Sequence, residues 1–425
     1  MRPSDPPPVN EPDPISDGPA RPARRVPVPI ALFRERDFRR LWLAGGLYGT
    51  VLWLEVLAIS VFVFDLTGSA NAVALMMFAR MFPMVLFGAA AGALAHRVNG
   101  KTIMTAGLGT LATVAAVLGL LVAAGAIETW HIAFGAFLNG TYGATEFAVR
   151  RTMLGKVAGA ERAGPALSLD SLTMSGTQLL GPVAGGLMYE LIGLEGAYAL
   201  SAALYVVATL LVVGLRVPPN PATAPKVHIT ADLAEGFRYA RTNSVVIGVF
   251  AVTVLMNFFS FSFIAMVPVI GKEELGLSPL PIGLLITAIG VGAVTTVLVI
   301  ATLPPRNRER MFFFGCVLHL VAICAFSFAP RFEIAIAILL VAGVGNACFG
   351  ANQSALVYLA ADPEMRSRMM GALTTCIGVG QLGFVHLGIL AGILGGARAV
   401  SLISVEGMVA MVAVFFLWPA LRRKR

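Results

Sequence analysis

Two residues of opposite charge stand where charge is unfavourable. Glu55 lies within "LYGTVLWLEVLAISVFVFDLTG", which begins at Leu47, and Arg80 lies in the apolar run that follows the turn at Gly68. Crossing a bilayer takes about 20 apolar residues, and both runs are long enough. Glu55 falls thirteen residues before Gly68 and Arg80 twelve after it. At a rise of about 1.5 Å per residue, two antiparallel helices hold such residues at nearly one depth. A lone central charge costs on the order of 2.5–3.5 kcal/mol on insertion scales. An opposite charge on a facing helix offsets much of that. Two roles are open to the pair. It can be a bridge that fixes helix register. It can also be a proton-coupling site, in which protonating Glu55 removes its charge, frees Arg80 and shifts the balance between two conformations.

A second depth match brackets Gly396, with His386 ten residues before it and Glu406 ten after. An imidazole beside a carboxylate is suited to proton relay near neutral pH, and equally a carboxylate can do no more than satisfy a buried imidazole. Glu146 and Arg150 have the one-turn spacing of a helix-stabilising ion pair. Other chemistries find no residues. The five histidines, at 96, 131, 228, 319 and 386, are scattered without metal-ligand spacing. Cys316, Cys324, Cys348 and Cys376 all fall in apolar runs and read as small packing residues. No phosphate-cradling Gly-x-x-x-x-Gly-Lys-Ser/Thr loop occurs. No enzyme activity, metal or cofactor is expected.

The elements that would position these residues follow from composition. The 425 residues are 57% hydrophobic and 13% charged, more apolar surface than a soluble chain of this size can hide. Twelve runs can span a bilayer: roughly 41–64, 73–95, 102–126, 129–149, 167–190, 194–215, 245–270, 281–303, 311–329, 333–356, 370–394 and 397–419. The formal charge of +8 does not point to nucleic acid, because of where it sits. With the N-terminus in the cytoplasm, 27 of the 31 basic residues fall on the inner side or in the two termini. Such asymmetry follows the positive-inside rule. It predicts a multi-pass membrane protein with both termini cytoplasmic.

The chain also repeats itself. Ser69 aligns with Ser278, Gly143 with Gly350, and the basic turn Arg97–Lys101 with Arg306–Arg310, all at offsets of 207 to 209. Two six-helix halves result, at 33–216 and 245–425. A Pro-rich arm (1–32), read as disordered, precedes them. A linker (217–244) joins them, and its "TADLAEGFRYARTNS" reads as an interfacial amphipathic helix capped at Thr230.

At this point specific motifs accumulate. "GALAHRVNGK" after the second run places Gly92, Leu94, Ala95, Arg97 and Lys101 on the pattern Gly-x-Leu-Ala-Asp-Arg-x-Gly-Arg-Lys, with His96 in the Asp position. "GPVAGG" carries Gly181 and Pro182, and "DLTGSA", "ARMFP" and "PEMRSRMMG" occur at 65–70, 79–83 and 363–371. Together these resemble the major facilitator superfamily, and within it the branch with siderophore exporters and macrolide efflux pumps. The resemblance covers about residues 33–420. It implies an all-α membrane protein of twelve helices in two pseudo-symmetric bundles.

The resemblance also assigns places. Spans 1, 4, 7 and 10 surround a central cavity, so Asn139, Tyr142, Asn257, Phe258, Phe261, Asn346 and Gln353 become candidate cavity residues for a bulky, partly apolar ligand. Ordinary helix packing, with amides as interhelical glue, is the competing reading for each. Span 12 is peripheral in this fold, which favours a structural role for Glu406 on His386. Gly92, His96, Arg97, Lys101, Gly181, Pro182, Arg366 and Arg368 become gate residues. The family Asp meets the positive end of the span 11 dipole; His96 brings no negative charge there, which predicts a weaker inner lock and an inward-open bias. Arg366 and Arg368 are expected at lipid headgroups or Glu364. The implied function is secondary active, proton-coupled export of a drug-like or siderophore-like molecule by alternating access. Glu55, Arg80 and His386 are the proton-coupling candidates. Partners are the cargo, protons and lipids, and the expected state is a monomer. Metabolite uptake on the same fold is the alternative, and a non-transporting sensor a more distant one.

Overall fold

The computed structural model describes residues 28–97, 99–159, 162–216, 229–303, 306–362 and 364–418. Twelve long helical segments run through them, with no strand among the described residues. Span 1 is Arg36–Thr67, span 2 Ala70–Arg97, span 3 Gly100–Ala123, span 4 Thr129–Ala158, span 5 Ala163–Ile192 and span 6 Leu194–Val213. Span 8 is Pro279–Thr302, span 9 Arg308–Phe326, span 10 Phe332–Ala360 and span 12 Gly396–Leu417. Two spans are broken. Span 7, Ser244–Glu273, is α-helical at both ends but wound as a π turn over Met256–Ser260 and a 3-10 turn over Phe261–Met266. Span 11 is built from Arg366–Gly380 and Gly383–Leu394.

Local chemistry sets the boundaries. Span 1 ends at Gly68, whose φ of 59° is left-handed and whose N–H returns to the Phe64 carbonyl. Asn99 and Asn307 cap spans 3 and 9, their side-chain oxygens accepting from Lys101 N and Arg310 N at 3.0 and 2.8 Å. These two caps are a further repeat-related pair. Ser69 and Ser278 immediately precede spans 2 and 8, and Gly143 and Gly350 sit within spans 4 and 10, so the landmarks of the internal repeat occupy equivalent places in the two halves.

Nine of the segments are long and apolar enough throughout to cross a membrane. Among the described residues, span 2 is apolar over Ala70–Met84 alone, and spans 4 and 5 carry Asn139, Glu146, Arg150, Asp170 and Gln178, all turned inward and buried. Glycine lets backbones meet without a polar driving force in lipid: a Cβ on Gly345 would lie 2.5 Å from the Gly315 carbonyl oxygen, joining spans 9 and 10.

Two boundaries move. The arm was expected to run unstructured through residue 32, but Val28–Arg34 is a short helix; Leu32 is fully buried and Phe33 packs edge-on against Phe38 and Trp42. Its apolar "VPIALF" has a surface of span 1 to cover. The linker helix runs Ile229–Ala240, so Thr230 lies inside its first turn and is not the cap. This helix lies against the Arg366–Gly380 segment, and Arg368 pairs with Glu235 at 2.8 Å. The rest of the arm and residues 217–228 lie outside the described residues.

Candidate functional site

Glu55 and Arg80 meet. Arg80 Nη1 lies 3.3 Å from Glu55 Oε2, and the two residues are 1% and 6% exposed. Asn139 of span 4 completes the site. Its carbonyl oxygen accepts from Arg80 Nη2 at 3.1 Å, and its amide donates to Glu55 Oε2 at 2.9 Å and to the Tyr205 hydroxyl of span 6 at 2.8 Å. One amide thus presents oxygen to the cation and N–H to the anion, and four spans close around one ion pair. Gly140 permits this. A Cβ there would overlap the Arg80 carbonyl oxygen, so only glycine brings span 4 this close to span 2.

This placement corrects part of the cavity reading. Asn139 and Tyr142 belong to the interior of the N-terminal half and not to an open wall between halves. The reason is helical phase: Asn139, Tyr142, Glu146, Val149, Arg150 and Met153 form one buried stripe on span 4. Tyr142 packs edge-on to Tyr48 at 5.1 Å and fills the space left by Gly107 of span 3.

Lower on the same stripe is a cluster the sequence reading did not assemble. Arg150 is fully buried and pairs with Glu146 and with Asp170 of span 5; Arg151 Nε lies 3.4 Å from Asp170 Oδ2. Span 4 continues past its expected end at residue 149, so Arg150 is a helix residue, received by the bare backbone of Gly45. The signal that was present is Asp170 itself, an acid inside a membrane-length run.

In the C-terminal half the two broken spans face each other. Gln381, at the break in span 11, donates to Asn257 Oδ1 at 3.1 Å, and Asn257 donates to the Thr253 carbonyl at 2.9 Å. Gln353 of span 10 donates to Thr253 Oγ1 at 3.0 Å. Gly380 and Gly383 receive the Asn257 and Phe258 backbone. Asn257 and Gln353 are therefore joined through Thr253, with Phe258 and Phe261 half-buried beside them. Phe261 meets Phe349 edge-on at 5.1 Å. Asn346 is half-buried on span 10, with Phe349 one turn further along the same helix. π turns concentrate at functional sites, and the "MNFFSFSF" segment supplies one.

His386 Nε2 and Glu406 Oε2 are 2.8 Å apart, each side chain about one-third exposed, and Phe258 stacks on the imidazole at 5.5 Å. Their helix neighbours Leu382, Ile389, Val405 and Val409 are exposed apolar residues. The pair thus sits on the outward seam of spans 11 and 12, in the opposite half from Glu55.

The gate residues divide. A Cβ on Gly181 would lie 2.5 Å from the Thr50 carbonyl oxygen, and one on Gly283 would lie 2.5 Å from that of Pro182. The "GPVAGG" segment therefore packs span 5 on span 1 and, across the two halves, on span 8. At the same end Asp65 pairs with Lys272, and Glu190 accepts from Ser278 Oγ and Leu280 N at 2.9 and 3.0 Å. This end, which carries Gly68 and Gly193, is shut between the halves. Lys101 donates to the Leu215 carbonyl at 2.9 Å, within one half. Arg366 caps the Tyr358 carbonyl at 3.1 Å and stacks on its ring, and Arg368 takes Glu235 as a partner; lipid headgroups or Glu364 were expected for both, and the linker helix brings Glu235 to Arg368. Gly92, His96 and Arg97 end span 2, and their side chains lie outside the described residues. Gly283→Leu is expected to part spans 5 and 8. Spin labels at Leu66 and Glu274 should then show a longer separation than in the unsubstituted chain; an unchanged distance would remove this crossing from the closure.

The sequence profile of the Major Facilitator Superfamily matches residues 41–385 and 263–424. No curated protein matches the sequence. Among solved structures, a POT family transporter in complex with a thioalcohol-conjugated peptide is similar at a TM-score of 0.73 and 12% identity, over 91% of this chain and 96% of that one. A bacterial homologue of the human lysosomal transporter Spinster, inward-facing and unoccupied, is similar at 0.67 and 14%, over 90% and 96%. A D-xylose–proton symporter is similar at 0.69 and 14%, over 91% and 98%.

Proposed function

The chain belongs to the Major Facilitator Superfamily, and from that premise we propose that it is a proton-coupled exporter whose coupling site is the Glu55–Arg80 pair. Membership makes it a multi-pass membrane transporter and not an enzyme. The direction, the proton and a bulky amphipathic cargo of the drug or siderophore kind are our reading.

The observation that carries it is the closure of four helices around one titratable ion pair. With Glu55 charged, Arg80 is balanced. With Glu55 protonated, a guanidinium that is 1% exposed keeps, among the described residues, only neutral oxygens as partners, those of the carboxyl group and of Asn139, and its charge is no longer balanced. An uncompensated buried charge is strongly unfavourable, so spans 1 and 2 shift against spans 4 and 6 until Arg80 finds another acceptor. A proton thereby selects between two packings. The shut end is the one that the distribution of basic residues assigns to the outside, so we read this conformation as inward-open. The C-terminal half supplies the softer surface: Phe258 and Phe261 at the break in span 7, with the Asn257–Gln381 and Gln353–Thr253 amide bonds. Aromatic faces with few polar groups suit a large, partly apolar ligand.

The test is transport into inverted membrane vesicles under an imposed proton gradient, over a panel of siderophores and amphipathic dyes. Gradient-dependent accumulation of at least one, lost on adding a protonophore, is expected. Accumulation that ignores the gradient would overturn the coupling, and movement in the opposite direction would favour uptake.

A further inference from the structure

Arg80 and Asn139 both donate to the same Glu55 oxygen, Oε2. Span 6 presents Tyr198, Ser201 and Tyr205 to this site. Their spacing of three and four places them on one helix face. The Tyr205 hydroxyl accepts from Asn139. The Ser201 hydroxyl faces Glu55, and the Tyr198 hydroxyl is fully buried with no hydrogen-bond partner among the described residues. Between Glu55, Asn139, Tyr198 and Tyr205 lies a small cavity of about 10 Å³, walled by apolar groups that include Ala136 and Leu118. That volume is close to what one water molecule needs. Buried polar groups without protein partners are where buried waters are found.

We propose that this cavity is a binding site for a single water, held by the Tyr198 hydroxyl and Glu55, and that this water is the immediate proton donor to Glu55. The step is simple: a protonated water passes one proton to the carboxylate and returns to neutral water, with no other bond changed. Arg80 from span 2 and the phenols of Tyr48, Tyr198 and Tyr205 are the charged or titratable groups described around the carboxyl; span 3 contributes an apolar wall. The proton then arrives from the span 6 side, within the N-terminal half, and not from the space between the halves. The inference rests on Glu55 titrating, as proposed above.

Infrared difference spectroscopy of the full-length reconstituted protein, between acid and neutral buffer and in H₂¹⁶O and H₂¹⁸O, tests it with water itself as the probe. A protonated-carboxyl band that disappears in Glu55→Gln should be accompanied by a water O–H band that shifts in H₂¹⁸O. Ala136→Val, which fills the cavity, should abolish the water band. Tyr198→Phe, which keeps the wall but deletes the hydroxyl, should shift it. Both variants should retain the carboxyl band, which also reports that they are folded. Absence of an isotope-sensitive band, or one unchanged in both variants, overturns the water site. A missing Glu55 band in the unsubstituted protein would instead overturn the coupling reading.

Discussion

Glu55→Gln is expected to reduce gradient-driven transport to the level seen without a gradient, while cargo exchange at equal pH on both sides continues. Glutamine keeps the volume of the side chain and an oxygen that can accept from Asn139 and Arg80, so the variant still folds. What it loses is the capacity to change charge. The chain then resembles its own protonated state at every pH, and the distribution between the two packings stops responding to acid. The check is paired: transport under a gradient, and the Leu66–Glu274 label distance across pH. A variant that still exports fully down an imposed gradient would return the pair to a purely structural role.

The second large effect concerns stability. Arg80→Leu leaves the Glu55 carboxylate buried without its partner, and breaking a buried pair from one side typically costs about 3–5 kcal/mol. Thermal unfolding in detergent should show a marked loss. Replacing both residues by leucine removes the charge along with its counter-charge, and such exchanges are often close to neutral. Most of the stability should therefore return in the double variant, while gradient-driven transport stays absent. Recovery of both would mean that the pair only sets register. Recovery of neither would mean that Asn139 and Tyr205, left without ionic partners, govern the packing of spans 4 and 6.

Depth matching made the ion pair legible, because residues equally far from a tight turn must return to the same level. Thirteen residues before Gly68 and twelve after it were enough to place Glu55 against Arg80, and the same geometry joined His386 to Glu406. The third and fourth members were not legible. Asn139 and Tyr205 lie on helices whose rotation depends on packing against several neighbours, and an amide or a phenol in an apolar run leaves that rotation open. Span 4 shows the same gap from the other side: its polar stripe was read as facing a central space, and its partners lie on spans 1, 2, 3, 5 and 6 of the same half. The Glu146–Arg150 pair was legible from its one-turn spacing, but its third member, Asp170, was not, because nothing in the sequence fixes how span 5 turns toward span 4. The breaks in spans 7 and 11 have local signals, Pro268 just after the 3-10 turn and Gly380 and Gly383 on either side of the second break, but other spans carry proline and glycine without breaking, so these alone did not announce them. They arise where Asn257 and Gln381 bond to each other across the bundle, so they are a tertiary property.

Among the described residues, every buried Asp, Glu, Lys or Arg belongs to the N-terminal half, and both interrupted spans belong to the C-terminal half. On the coupling reading proposed above, the two halves divide the work: substitutions around the kinked pair of helices would change the range of molecules handled and leave the response to protons in place. A hybrid that joins residues 1–216 to the second half of a relative would then take its engine from one parent and its palate from the other.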